Sequence, residues 1–158
     1  MLISTKYATH LTEKGQASQI LNLQDLPHDF IYCDMYGNRS DQMNDVITSF
    51  FENIEKFVFV IPEYNGGFPG VLKAFVDCLP SQMFHNKKAG LVGVSSGFTG
   101  CQRGMDQFTS ILNYLKVNVL YSKPKLSQIE AILAKDPELK DKRMNELLDD
   151  HANLMIGF

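Results

Sequence analysis

The sequence predicts a doubly wound α/β domain: a parallel sheet with helices on both faces. Two observations carry this. Residues 57–61 (Phe-Val-Phe-Val-Ile) and 89–95 (Ala-Gly-Leu-Val-Gly-Val-Ser) are short, apolar and free of polar alternation, the pattern of strands covered on both faces. Around them, apolar residues recur every three or four positions, as helices with one buried stripe require. Length and composition agree. The chain has 158 residues, 44% hydrophobic and 21% charged, which suits one ordinary globular domain over residues 1–158.

The elements follow in order. Ile3, Tyr7, Ala8 and Leu11 have helical spacing, and Lys14-Gly15 reads as the helix end with a C-cap glycine. The rival reading, Met1–Ser4 as a stub of strand, leaves no room for a loop before that helix. Residues 19–23 (Gln-Ile-Leu-Asn-Leu) read as a short strand ending before Asp25-Leu26-Pro27. Met43, Val46, Ile47, Phe50, Phe51 and Ile54 form a helical stripe ahead of strand 57–61. Leu72, Phe75, Val76 and Leu79 form the next one, with Pro69 suited to the first helical position. Strand 89–95 is followed by a helix on Met105, Phe108, Ile111, Leu112 and Leu115, then a weaker strand at 117–121. Met144, Leu147, Leu148, His151, Leu154 and Met155 end the chain as an amphipathic helix.

Composition excludes several functions. A net charge of −3 and pI near 5.8 leave no basic footprint for nucleic acid. No apolar run approaches the ~20 residues of a membrane helix, and Met1–Lys6 lacks a secretory-signal pattern. Cys33, Cys78 and Cys101 are scattered with no CxxC, which places the chain in a reducing cytoplasm. His10, His28, His85 and His151 lack metal-ligand spacing. Lys135, Lys140, Lys142 and Arg143 alternate with acids as a solvated face.

Two loops carry the chemistry. After strand 57–61 comes Pro62-Glu63-Tyr64-Asn65-Gly66-Gly67, with Pro69 opening a helix. In open α/β sheets, ligands bind outside the carboxyl ends of the strands. Two glycines let the backbone turn tightly and approach a flat ligand, whose heteroatoms backbone N–H groups can reach. The second loop, residues 93–104 (Gly-Val-Ser-Ser-Gly-Phe-Thr-Gly-Cys-Gln-Arg-Gly), has four glycines and three hydroxyl residues, again after a buried strand. Each loop alone reads equally well as a plain connector; their occurrence on adjacent strand ends points to a ligand.

The first loop resembles the NADPH-dependent FMN reductase family, flavodoxin-like flavoenzymes with a Pro-Glu-Tyr-Asn loop followed by Pro-Gly-x-Leu-Lys. Pro62, Glu63, Tyr64, Asn65, Pro69, Gly70, Leu72 and Lys73 match it, and Ser95, Ser96, Gly97, Gly100, Arg103 and Gly104 resemble its second flavin-contacting segment. The resemblance runs from residue 1 to about residue 125. It implies a flavodoxin-like three-layer α/β/α sandwich with strand order 2-1-3-4-5. It also implies a bound FMN that takes hydride from NADPH or NADH and passes electrons to a quinone, azo compound, metal oxyanion or free flavin. The cofactor-binding residues would then be Pro62, Glu63, Tyr64, Asn65, Gly66, Ser95, Ser96, Gly97, Gly100 and Arg103, with Glu63, Tyr64 and Asn65 along the ring. No side chain is needed as acid or base, because the cofactor carries the chemistry. The resemblance further implies a homodimer or homotetramer, served by exposed Tyr64 and Phe68.

Two departures stand out. Gly67 replaces a serine common in the family. Nothing in residues 1–18 matches the family's first strand and Gly-Ser/Thr-x-Arg phosphate loop, so the domain is expected to be N-terminally incomplete, with a central strand missing. Two other readings remain. One is a flavodoxin-like binding module without flavin catalysis. The other is a serine hydrolase using Ser95 of Gly93-Val94-Ser95-Ser96-Gly97, with His151 as its downstream histidine.

Overall fold

A computed structural model describes residues 1–158, apart from the side chain of Tyr36. Its strands are β1 (Lys56–Pro62), β2 (Lys88–Val94), β3 (Asn118–Val119) and β4 (Lys125–Leu126). Its helices are α1 (Leu2–Glu13), α2 (Phe30–Cys33), α3 (Asp41–Phe50), α4 (Gly70–Cys78), α5 (Gln102–Tyr114), α6 (Ile129–Leu133) and α7 (Lys142–Gly157). All strand pairs are parallel: β1 pairs β2 from Lys56↔Lys88 to Pro62↔Val94. The other edge of β2 is covered in two pieces, β3 beside Lys88–Ala89 and β4 beside Gly93–Val94. The expected strand 117–121 is thus cut to two residues. The chain leaves the sheet around Pro124, whose carbonyl accepts from Gly93 N–H at 2.9 Å, and returns as β4.

Alternate residues of the strands feed two apolar layers. On one face, Phe57, Phe59, Ile61, Ala89 and Leu91 meet Met43, Phe51, Leu72, Phe75, Phe84, Phe108 and Leu112. On the other, Val58, Val60, Val92 and Val94 meet Ile3, Tyr7, Leu126, Ile129, Leu148 and Ala152. The α/β/α layering and the parallel sheet therefore stand as expected. So does the first helix: α1 ends at Glu13, and Gly15 takes a left-handed φ of +73° while Gly15 and Gln16 N–H bond back to Thr12 and Leu11. Pro69 differs slightly, as the N-cap of α4 rather than its first residue.

Residues 19–23 are not the expected strand. Residues 15–20 are exposed coil, and Leu23–Asp25 is a 3-10 turn capped by the Asn22 side chain. No neighbouring ladder holds this short run extended, and β1 stands at the sheet's edge. The described order is β1-β2-β3 with β4 also on β2, not the five-stranded 2-1-3-4-5. The edge position has a measurable sign. Residues 57–60 are only half-buried, whereas residues 89–93 of β2 are buried throughout. A groove of about 380 Å³ runs along this edge, between α1 with residues 16–21 and the apolar floor of β1.

Candidate functional site

Because β1 and β2 are parallel and in register to Pro62↔Val94, their two glycine-rich loops emerge side by side. Glu63 N–H donates to Val94 O at 2.8 Å, fixing the first loop to the end of β2. That loop then reverses in four residues. Tyr64 and Gly67 exchange both backbone hydrogen bonds, at 2.9 and 3.0 Å, around Asn65 (φ +52°) and Gly66 (φ +78°). Positive φ at both central residues makes a type I′ turn, for which Asn-Gly is the favoured pair. The tight reversal expected from Gly66-Gly67 thus rests on Asn65-Gly66 instead.

The second loop is wound around Ser95, which is 6% exposed. Its hydroxyl donates to Gly97 O and accepts from Gly100 N–H, both at 2.9 Å. Gly100 and Cys101 follow with left-handed φ of +58° and +60°, and Cys101 is the N-cap of α5. The Cys101 thiol is fully buried, and burial pushes its pKa up, with the Glu63 carboxylate adding to the rise. It is a packed, unreactive thiol.

The loops are joined by side chains. Glu63 Oε2 accepts from Thr99 Oγ1 at 2.6 Å and from Cys101 N–H at 3.1 Å. Phe68 rests on Phe108 of α5, ring centroids 5.3 Å apart. Phe68 is therefore half-buried, not the exposed aromatic expected; Tyr64, 62% exposed, remains one, joined by Phe98 at 83%. Gly104 allows α5 to sit against the first loop, since a Cβ there would lie 2.8 Å from Phe68 N and 2.9 Å from Gly67 C. Arg103 and Gln107 of α5 reach back toward Gly66 and Gly67.

The structure thus gathers all ten expected site residues at one end of the sheet. Pro62, Tyr64, Asn65, Ser96, Gly97 and Arg103 are exposed there, Glu63 and Gly66 are half-buried, and Ser95 and Gly100 are buried within the loop itself. Thr99 and Gln107 also contact the first loop, and local sequence does not mark either one. Thr99 was legible only as one hydroxyl of a glycine loop, and Gln107 only as a polar position on α5.

This arrangement can do one thing well. Among the described residues, the N–H groups of Asn65, Gly66, Ser96, Gly97 and Phe98 have no acceptor within the chain. A Cβ at Gly97 would meet nothing within 4 Å. Donors grouped beside open space suit the heteroatom edge of a flat ring. The ring half of a flavin fits these residues.

The hydrolase reading fails on geometry. Ser95 Oγ is spent on its own loop. His151 lies beside Gly90, its Nδ1 2.7 Å from the Tyr7 hydroxyl. Five residue steps along and just past β2 separate Gly90 from Ser95, ~16 Å at the usual rise. No group of three or more His, Cys, Asp or Glu is placed to hold a metal among the described residues. Among the described residues, no helix is long and apolar enough to cross a membrane.

The family profile described as NADPH-dependent FMN reductase matches residues 3–130. The chain is 33% identical over 105 residues to an NAD(P)H-dependent FMN reductase of Pseudomonas aeruginosa, covering 65% of this chain and 53% of that one. It is 39% identical over 67 residues to an NAD(P)H-dependent FMN reductase of Saccharomyces cerevisiae, covering 42% and 34%. The aligned segments thus span about half and a third of those relatives' length. Among solved structures, the flavoenzyme NAD(P)H:(acceptor) oxidoreductase FerB of Paracoccus denitrificans superposes with a TM-score of 0.76 at 20% identity, over 98% of this chain and 86% of that one. At that identity the likeness concerns the fold.

Proposed function

Because the chain belongs to the NADPH-dependent FMN reductase family, we propose that it serves as an FMN-dependent NAD(P)H oxidoreductase delivering electrons to a small acceptor. The acceptor class is a quinone, azo compound, metal oxyanion or free flavin. The observation that carries this is the set of unpaired loop amides at the ends of two adjacent parallel strands. When bound, the flavin would accept hydride from the nicotinamide and release electrons to the acceptor. The chain's part is placement. The amides of Asn65, Gly66, Ser96 and Gly97 would bond the ring's polar edge, the Asn65 side chain would add a contact, and Arg103 would supply positive charge beside it. Tyr64 and Phe98 would cover the site and keep water from it, and could pack against a second copy in a homodimer or homotetramer. Three free cysteines support a reducing, cytoplasmic setting.

Purified protein mixed with FMN should quench flavin fluorescence and then oxidise NADPH or NADH with a quinone present. No turnover at saturating FMN overturns the reading.

A further inference from the structure

Glu63 belongs to the loop expected to line the flavin, yet its carboxylate is committed elsewhere. Its Oε2 accepts from both Thr99 Oγ1 and the Cys101 N–H, 36 and 38 residues away. Those two residues bracket Gly100, the corner at which the second loop turns through two left-handed residues into α5. Cys101 is not glycine, and its left-handed φ of +60° carries a strain that surrounding contacts must offset. It also caps α5 without a side-chain bond, and α5 has no acidic residue in its first turn. Glu63 supplies, from the loop that follows β1, the negative charge that a helix N-terminus favours.

We propose that Glu63 is a positioning residue: its carboxylate latches the Thr99–Cys101 corner to the end of β1 and so sets the Ser96–Phe98 amides, without itself touching the cofactor. The assignment of these amides to a flavin rests on the proposed function; the latch does not. Three parts make it. The Glu63 backbone is tied to Val94 O, so the carboxylate is anchored to the sheet. The acceptor is charged, which strengthens both hydrogen bonds. Arg103 and Gln107 reach back over Gly66 and Gly67 once α5 is fixed, so one residue aligns both loops.

The test is a double-substitution cycle read two ways. In cofactor-free protein, Glu63→Ala should speed hydrogen exchange of the Cys101 amide about tenfold, leaving the Leu91 and Val92 amides unchanged. Glu63→Gln, which keeps an acceptor oxygen and the volume, should restore most of the protection. For FMN, Kd should rise about tenfold in Glu63→Ala and about threefold in Thr99→Val, and the double variant should bind no worse than Glu63→Ala alone. Unchanged Cys101 exchange overturns the latch. Strictly additive FMN losses also overturn it, since they would mark Glu63 as a direct contact. If the wild type binds no FMN, the functional reading fails while the exchange result still decides the latch.

Discussion

Asn65 sits at φ +52° in the tightest turn of the site. Replacing it with alanine confounds two effects, because an alanine there carries ~1–2 kcal/mol of left-handed strain. Asn65→Gly separates them. It should leave thermal stability nearly unchanged and weaken FMN binding about three- to tenfold, the worth of one hydrogen bond, as read by flavin fluorescence quenching. Gly97 and Gly104 make a complementary pair. A side chain at Gly97 meets open space, so Gly97→Val should fold normally and lose FMN affinity by steric block alone. A Cβ at Gly104 would press on Cys101 Sγ at 2.6 Å and on the backbone of Gly67 and Phe68. Gly104→Ala should therefore lower stability by ~1–3 kcal/mol in denaturant titration. A tight turn in this loop is legible in the sequence, although its two glycines point to Gly66-Gly67 where the structure uses Asn65-Gly66. The Glu63–Thr99 bond is not legible, because nothing in local sequence links positions 36 apart; only the register of β1 on β2 does.

Among the helices, α1 and α7 are held together by polar pairs as well as apolar ones. Lys14 Nζ stands 2.8 Å from Asp149 and His10 Nδ1 3.2 Å, and the Lys14 bond holds the Asp149 carboxyl below its ordinary value. The Tyr7 hydroxyl meets buried His151, whose own pKa burial pushes down to about 4, the Ser122 backbone opposing in part. The unfolded chain binds a proton at this histidine near pH 6.5, while the folded chain resists until about pH 4. Between those values the unfolded state holds more protons, so stability falls as pH drops through the window, by up to roughly 3 kcal/mol. Urea titrations from pH 7 to 4 should show that decline, and His151→Gln should flatten it; a flat wild-type profile would contradict the assignment. The periodicity of both helices was legible in the sequence. Their mutual contact was not, since residues 7 and 151 meet only through tertiary packing.

The sheet exposes what periodicity cannot distinguish. Strands 57–61 and 89–95 read alike as fully covered runs, yet one lies at an edge and the other inside. Apolarity reports two covered faces and says nothing about neighbours along the ladder. Residues 19–23 failed as a strand for the same reason, since β propensity without a partner strand does not hold a chain extended. The edge makes a sharp prediction. Glu55 O accepts from Lys88 N–H and Glu63 N–H donates to Val94 O, so the odd-numbered residues of β1 bond to β2. Val58 and Val60 turn their N–H groups outward. Val58→Pro should therefore fold, as proline is tolerated where an edge N–H faces away from the ladder, whereas Phe59→Pro should not. An apolar open edge also invites pairing between molecules. The wild type should form larger species on light scattering as concentration rises, and Val58→Pro should suppress them.

The buried Cys101 thiol has a practical meaning beyond packing. Of the three free cysteines only Cys33 is exposed. A thiol-specific reagent should thus titrate one sulfur in the native chain and three after denaturation. With Cys78 replaced by alanine, any slow second equivalent in native buffer would time the opening of the corner beneath Glu63, a chemical clock that the protein carries without an added label.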